Sequence, residues 1–187
     1  MSVKYKFTDK TTLHYCTLTL VGWIDLFSRE SYRKIIIDSL AYCQKNKGLN
    51  VHGYVIMTNH LHLIISAKEG GNLSGIMRDF KSFTAKSFLH EIQNGNESRK
   101  DWLLYLFQYF AKKHKRSQTH MLWQHDNHPI ALWSAKVIQT KLKYIHANPV
   151  RAGLVNLPSE WKYSSAGSYE GKPGLLKIDI LDEAYLL

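Results

Sequence analysis

Residues 51–66, VHGYVIMTNHLHLIIS, are the part of the sequence that indicates the fold most clearly. They contain two apolar runs rich in β-branched residues, 51–57 and 60–66, which only Thr58 and Asn59 separate. A two-residue polar break between such runs is typical of a tight antiparallel hairpin. The stretch therefore predicts two neighbouring strands of an antiparallel sheet.

A strand and a helix are predicted before this hairpin, and a second helix after it. Residues 14–23, HYCTLTLVGW, alternate in part and favour a strand. Apolar residues at helical spacing predict a helix from a cap at Ser28 to about Lys47. The same spacing predicts a second amphipathic helix from Leu73 to about Ile92.

The second half of the chain adds short strands and a further helix. Residues 121–124 and 130–133 favour strands, and a cap at Ser134 predicts a helix that Pro149 ends just after Asn148. The order strand–helix–strand–strand–helix–strand indicates an α+β fold. We expect a ferredoxin-like (RRM-like) antiparallel sheet with helices packed on one face, which leaves the other face free for a site.

The whole chain, 1–187, is predicted to form a single domain. Residues 93–100 are polar and contain glycine and asparagine, and an aromatic helical stretch follows from Trp102 to His114. The segment 93–120 is therefore predicted to be an insertion or extra helix.

The composition favours a nucleic-acid partner. The chain has 25 lysines and arginines against 15 acidic residues, a net charge of +10 that suits a polyanion. No apolar run approaches the ~20 residues that span a membrane, and the first ten residues lack a secretory pattern. The two cysteines, Cys16 and Cys43, form no CxxC pair and suit a reducing compartment. We expect a cytoplasmic, nucleoid-associated protein with no membrane partner.

The hairpin carries two histidines that share one face of the sheet. Residues i and i+2 of a strand point the same way, so His60 and His62 project together while Leu61 points to the opposite face. Paired imidazoles on a rigid strand suit a divalent metal ion. With ten histidines in the chain, a chance HxH pattern is the alternative.

The helix after Ser134 carries a second pair of polar side chains. Tyr144 and Asn148 have i, i+4 spacing, which places both over one patch on the flank of the apolar stripe. A tyrosine at the edge of the core and an asparagine that ends a helix are the structural alternatives.

Together these residues resemble a known family. The run 144–155, YIHANPVRAGLV, is followed by Pro158, Trp161, Ser164 and Ser165. It resembles the C-terminal signature of HUH single-tyrosine transposases of the insertion-sequence type, and is most similar to the branch associated with repetitive extragenic palindromes (REP). The sequence HLH at 60–62 is similar to that family's histidine–hydrophobic–histidine motif. The resemblance covers roughly residues 15–169, but Thr58 replaces a frequent proline and the segment 93–120 is long.

The resemblance implies roles for these residues. Tyr144 would be the nucleophile, His60 and His62 two metal ligands, and Asn148 the third ligand through its amide oxygen. The ion would be Mg²⁺ or Mn²⁺, which suit oxygen donors and a phosphate substrate. The enzyme would cut single-stranded DNA next to a hairpin and form a covalent 5′-phosphotyrosine that a 3′-hydroxyl can rejoin. The family includes dimers and monomers, so the resemblance leaves a homodimer open.

Basic residues around these motifs are candidate DNA contacts, because positive charge among aromatics suits a groove that follows a single strand. A cluster at 112–116 has the same character. The candidates are Arg78, Lys81, Lys86, Lys136, Lys141, Lys143 and Arg151.

Three other functions compete with transposition. A non-catalytic ferredoxin-like nucleic-acid-binding protein explains the charge and the fold, but leaves the histidines and Tyr144 as coincidences. A metal-dependent nuclease that uses water would leave no protein–DNA adduct. A replication initiator or relaxase shares the histidine pair, but such proteins are generally larger and place the tyrosine differently.

Overall fold

The structure, a computed structural model, describes residues 12–115, 119–125 and 129–181. Its centre is an antiparallel sheet of four strands in the order β2-β3-β1-β4. The strands are β1 (His14–Thr19), β2 (Leu49–Ile56), β3 (His60–Ala67) and β4 (Ile130–Ala131). The predicted hairpin is thus present as β2 and β3, and the strand order is that of a ferredoxin-like fold.

Two long helices, α1 (Glu30–Asn46) and α2 (Leu73–Asn94), pack together beside the sheet. Alternate strand residues such as Leu18, Leu61 and Leu63 are buried in the main core with apolar residues of these helices. Burial of apolar surface on this side supplies the main stabilisation of the fold. The predicted α+β class and the ferredoxin-like sheet are confirmed.

The second face of the sheet is partly covered by α4 (Ala135–Arg151). Ile138, Leu142 and Ile145 form a smaller core with strand residues Tyr15 and Ile64. This face is therefore not left wholly free, since α4 lies against it. Beyond α4, the short helix α5 (Ala166–Tyr169) completes the described helices.

Gly53 permits the close approach of α4 to β2. A Cβ atom built on Gly53 would lie 2.9 Å from a methyl carbon of Leu142, closer than two carbons can pack. A register shift in the β2–β3 ladder falls between Val51 and Gly53. The irregularity and the missing side chain together seat α4 against the sheet.

Several predicted boundaries differ from the structure, among them the start of α1, which follows an N-cap at Arg29 and not at Ser28. The helix α4 does not end at Pro149 but continues to Arg151. Pro149 has no N–H to donate, so one hydrogen bond is missing in the last turn. The helix continues past it, and the N–H of Ala152 donates to the carbonyl of Asn148 at 2.9 Å. At the start of the fold, β1 ends at Thr19 and a 3₁₀ turn covers the rest of the predicted strand.

The predicted strand 121–124 forms only an isolated bridge, between Leu20 and Trp123. Trp123 is buried beside Phe27 and Phe80, and its indole N–H donates to Thr84 Oγ1 at 3.0 Å. The apolar composition of residues 121–124, which predicts a strand, therefore belongs to a loop that Trp123 anchors in the core. The predicted strand 130–133 is shortened to the two residues of β4.

The segment 93–120 contains α3 (Lys100–Lys113), close to the predicted helix. The loop before it is anchored by Glu97, which accepts from the hydroxyl of Tyr32 at 2.9 Å and the backbone N–H of Arg99 at 3.0 Å. That this segment is an insertion in a single domain stays a prediction. No helix in the described part of the chain is long and apolar enough to cross a membrane.

Candidate active site

His60 and His62 lie side by side on the sheet face that α4 partly covers. Their ring centroids are 4.8 Å apart and the rings are nearly perpendicular. Leu61 points to the opposite face and is fully buried in the main core. The period of two along β3 therefore produces the predicted pair, and the core fixes the strand that carries it.

His62 is buried and is held by two hydroxyl groups of β1. Its Nδ1 lies 2.8 Å from the Tyr15 hydroxyl and 2.9 Å from Thr17 Oγ1. Thr17 pairs directly with His62 in the ladder, and the Tyr15 ring stacks on the imidazole with centroids 5.5 Å apart. Burial, followed by the charges of His60 and Lys141, lowers the pKa of His62 to about 3, so the imidazole is neutral at neutral pH.

The other ring nitrogen of His62, Nε2, has no hydrogen-bond partner among the described residues although it is buried. A buried polar atom without a partner costs free energy, on the order of 1–3 kcal/mol. The atom therefore marks a position where a further group is expected to bind.

His60 is oriented by the neighbouring Asn59. The side-chain amide of Asn59 donates to the carbonyl of Trp23 at 3.3 Å, which leaves its oxygen 2.6 Å from Nδ1 of His60. Because an amide oxygen only accepts, Nδ1 of His60 carries the proton and Nε2 keeps its lone pair. Burial lowers the pKa of His60 as well, which favours the same neutral form.

Trp23 packs against His60, and its backbone has an unusual conformation. Its indole lies edge-on to the imidazole, with centroids 5.9 Å apart, and remains largely exposed. The φ angle of Trp23 is 55°, in the left-handed region. For a residue other than glycine this conformation is less favourable by on the order of 1–2 kcal/mol. Such conformations are concentrated at functional sites.

Tyr144 on α4 contacts His62 on the face of the sheet that α4 partly covers. The two ring centroids are 5.4 Å apart, at an interplanar angle of 67°. Tyr144 is 39% exposed, whereas Tyr15, the other tyrosine that contacts His62, is 6% exposed. Burial raises the pKa of Tyr15 to about 12. One tyrosine at this histidine is therefore enclosed, and the other is open to solvent.

Asn148 lies one turn after Tyr144 on α4. Its amide nitrogen donates to the carbonyl of Tyr144 at 2.8 Å, so its amide oxygen is not engaged in this bond. His146 points elsewhere: its Nε2 lies 2.9 Å from Ser165 Oγ, its ring packs on Tyr169, and burial lowers its pKa to about 4. The structure thus gives His146 a packing position away from the histidine pair.

The basic residues of α4 fall into two groups. Lys141 and Arg151 border the site, since Lys141 Nζ is 4.6 Å from the Tyr15 ring centroid and the Arg151 guanidinium carbon is 5.9 Å from that of Tyr144. Lys136 and Lys143 lie on the exposed surface of the same helix.

The three basic residues of α2 are not brought together with the histidine pair, because α2 packs on the opposite face of the sheet. Arg78 pairs with Asp79 at 3.0 Å, and Lys81 Nζ donates to the carbonyl of Gln124 at 2.6 Å. Lys86 is exposed beside a cavity between α1 and α2. In the cluster 112–116, Arg116 lies outside the described residues, and Lys112, Lys113 and Lys115 are exposed at the end of α3.

Sequence reasoning missed four residues that shape the site. Tyr15 and Thr17 alternate on β1 and so share a face, a signal that the sequence does contain. Their register with His62 is a long-range pairing that no local pattern reveals. The sequence pattern places Asn59 only in the turn of the hairpin and Trp23 at the end of a strand.

The donor atoms of this site are nitrogens of neutral imidazoles. No group of three or more histidine, cysteine, aspartate or glutamate side chains that could hold an ion exists within the described ranges. The site instead offers two neutral imidazoles with adjacent rings, one of them with a buried and unpartnered Nε2. Neutral imidazoles of this kind fit a divalent ion that takes its remaining ligands from oxygen donors.

Fold and site together define an α+β protein with a ferredoxin-like sheet, which carries a histidine–tyrosine cluster on the face away from its main core. The family described as "Transposase IS200 like" matches residues 24–125, more than half of the chain, and the chain belongs to this family. The predicted insertion-sequence transposase family is thereby confirmed. The matched range contains both histidines of the pair and ends before Tyr144 and Asn148.

Two solved structures are similar to this chain, and the first of them shares its fold. One, described as the REP-associated tyrosine transposase bound to a REP hairpin, matches with a TM-score of 0.61 and 21% identity over 97% of this chain and 94% of that chain. A putative transposase from Deinococcus radiodurans R1 matches with a TM-score of 0.41 and 13% identity over 76% of this chain and 95% of that chain. No curated protein matches the chain.

Proposed function

We propose that this transposase is a metal-dependent single-stranded DNA endonuclease and strand transferase that uses Tyr144 as its nucleophile. The observation that carries the proposal is the contact of the half-exposed Tyr144 ring with His62, at 5.4 Å between centroids. A phenol beside a candidate metal ligand, on a basic protein, suits attack on a phosphodiester.

The hydrogen bonds around the histidines support their role as ligands. Thr17 Oγ1 and the Tyr15 hydroxyl can both accept from Nδ1 of His62, and Asn59 accepts from Nδ1 of His60. Each Nε2 would then keep a lone pair for an ion, as in metal sites where the second ring nitrogen is hydrogen-bonded. His60, His62 and the amide oxygen of Asn148 would hold Mg²⁺ or Mn²⁺. When bound, such an ion polarises a phosphoryl oxygen and stabilises the charge that develops on it.

The chemistry conserves the energy of the broken linkage. The Tyr144 oxygen bonds to phosphorus as the bond from phosphorus to the 3′-oxygen breaks. The phenolic proton is released to solvent, and the leaving oxygen takes up a proton to become a 3′-hydroxyl. The 5′-phosphotyrosine can then be attacked by the 3′-hydroxyl of another strand, which restores the phenol. No water is consumed, so the sequence of steps transfers a strand without hydrolysing it.

The proposed substrate is single-stranded DNA next to a hairpin. The net charge of +10 supports a nucleic-acid partner, and Lys141 and Arg151 border the site where a phosphate would lie. Lys136 and Lys143, exposed on α4, are further candidates for backbone contacts. The similar solved structure is described as bound to a REP hairpin, which motivates a hairpin as the first substrate to test.

The test is covalent capture. The protein is incubated with Mn²⁺ and a pool of single-stranded oligonucleotides that carry a hairpin between randomised flanks. We expect a denaturant-resistant adduct that maps to Tyr144 and is absent in excess chelator. Tyr144→Phe should abolish the adduct and keep DNA binding, whereas the control Tyr42→Phe, an exposed tyrosine of α1, should leave it unchanged. Free 5′-phosphate ends without an adduct would indicate a water-using nuclease, and binding without cleavage would indicate a non-catalytic module.

The structure supports use of Tyr144 within one chain, because Tyr144 and His62 of the same chain are in contact. A mixture of Tyr144→Phe and His62→Gln proteins tests this directly. We expect the mixture to form no more adduct than either variant alone. Recovery of adduct in the mixture would instead indicate a homodimer that exchanges its tyrosines.

A further inference from the structure

Helix α3 presents three large aromatic rings to solvent. Trp102, Tyr105 and Tyr109 are 49%, 65% and 46% exposed. Their spacing of three and four residues places them on one face of the helix, and Lys113 continues the same line. The opposite face, with Leu103 and other apolar residues, is buried in the core. Packing of α3 therefore does not require the exposed rings.

Cationic side chains flank both ends of this row. Lys113 Nζ is 5.9 Å from the Tyr109 ring centroid, and the Arg99 guanidinium carbon is 6.0 Å from that of Trp102. Lys112 and Lys115 add exposed positive charge at the C-terminal end. Helix-dipole effects favour positive charge at that end, but they give no reason for exposed aromatic rings.

The row connects to the candidate active site through the turn Val21–Trp23. Phe110 of α3 lies so close to Gly22 that a Cβ atom there would be 2.7 Å from its ring. The next residue, Trp23, packs against His60. The C-terminal half of α3, with Tyr109 beside Phe110, therefore adjoins the turn that covers the histidine pair.

We infer that the face of α3 formed by Trp102, Tyr105, Tyr109 and Lys113 binds single-stranded DNA that extends from the active site. This inference rests on the proposed function, which supplies the strand. Unpaired bases would stack on the rings, and phosphates would lie by Lys113 and its neighbouring exposed lysines, because the Arg99 guanidinium is already paired with Asp25 at 2.7 Å. From Trp102 to Tyr109 the helix rises about 10 Å, which spans on the order of three bases at the ~3.4 Å spacing of stacked nucleotides.

The test uses binding without cleavage. Fluorescence anisotropy would measure the affinity of the Tyr144→Phe protein, in chelator, for an unstructured mixed-sequence strand of about 20 nucleotides, longer than the site of a single binding module. We expect Trp102→Ala, Tyr105→Ala and Tyr109→Ala each to weaken binding about 5-fold or more. Tyr105→Phe and Tyr109→Phe should bind like the parent protein, because the ring is retained.

Controls separate stacking from charge and from folding. Tyr42→Ala and Phe83→Ala remove exposed aromatic rings from α1 and α2, and should not change the affinity. The bases of the matching duplex are not free to stack on the rings. Affinity for this duplex should therefore change by less than about twofold in every α3 variant. Unfolding in urea would show that each variant is folded.

Unchanged single-strand affinity in all three alanine variants would overturn the inference. So would sedimentation showing that the variants dissociate a dimer, since the face would then be an interface between copies. Because this assay needs neither metal nor nucleophile, failure of the adduct experiment and failure of this one are distinguishable.

Discussion

Removal of the two hydroxyl groups that contact His62 Nδ1 should weaken Mn²⁺ binding while the fold survives. Tyr15→Phe keeps the ring that stacks on His62 and the ring surface under Lys141, and deletes only the hydroxyl. Thr17→Val is similar in shape and deletes the second partner. Either single variant leaves one hydroxyl, at 2.9 Å or 2.8 Å, to accept from Nδ1.

The magnitude follows from the number of partners that remain. Loss of one of two hydrogen bonds should cost about 0.5–1.5 kcal/mol, or roughly 2- to 12-fold in affinity. In the double variant, Tyr15→Phe with Thr17→Val, a buried nitrogen loses every partner, which costs about 1–3 kcal/mol or roughly 5- to 150-fold. The upper part of that range agrees with the 10- to 100-fold losses that are typical when partners of metal ligands are removed.

Calorimetric or paramagnetic-resonance titration with Mn²⁺ would measure these affinities. Tyr42→Phe, on the opposite side of the molecule, is the matched control and should bind the ion like the parent protein. Urea unfolding would establish that the double variant is folded at the temperature of the titration. If a folded double variant bound Mn²⁺ as tightly as the parent, the hydroxyl groups would not determine which nitrogen of His62 is free, and the argument would be refuted.

Two further changes test how the loop and the turn around α3 are held. Glu97→Gln should lower the free energy of unfolding at pH 7 by about 1–3 kcal/mol, because Tyr32 and Arg99 lose a charged acceptor whose side chain is only 2% exposed. Burial raises the pKa of Glu97, but hydrogen bonds from Arg99 and Tyr32 outweigh burial and hold the pKa below its usual value. The difference in free energy of unfolding between the parent protein and Glu97→Gln should therefore shrink as the pH falls below about 4. A difference that stays constant with pH would contradict this. Gly22→Ala should cost about 1–3 kcal/mol in the same assay, since its φ is 62° and its Cβ would meet the Phe110 ring at 2.7 Å, and unchanged stability would show that the turn relaxes freely.

The parts of this protein that sequence alone predicts are those set by local periodicity. The histidines at i and i+2 had to share a face of β3, and Tyr144 and Asn148 had to share a flank of α4. The hairpin could be predicted because its break is only two polar residues long. Each of these inferences needed no knowledge of distant parts of the chain.

The parts that could not be predicted depend on long-range packing. Nothing local shows that Gly53 and the ladder irregularity seat α4 on the second face of the sheet. Periodicity places Arg78 and Lys81 on the surface of α2 but does not tell which face of the sheet α2 covers. Trp123 is a similar case, because a loop aromatic buried by three distant partners has the composition of a strand.

The two tyrosines at His62 differ in their access to solvent, which the proposed attack of Tyr144 on DNA requires. Tyr15 is enclosed, burial raises its pKa to about 12, and its hydroxyl is committed to His62, so it can orient the imidazole but cannot reach a strand in solvent. Tyr144 touches the same imidazole from a helix at the surface, beside Arg151. A nucleophile for a macromolecular substrate has to be reached from outside, whereas the group that orients a ligand has to be fixed from inside. The sheet supplies the fixed tyrosine, and the helix that lies across it supplies the accessible one.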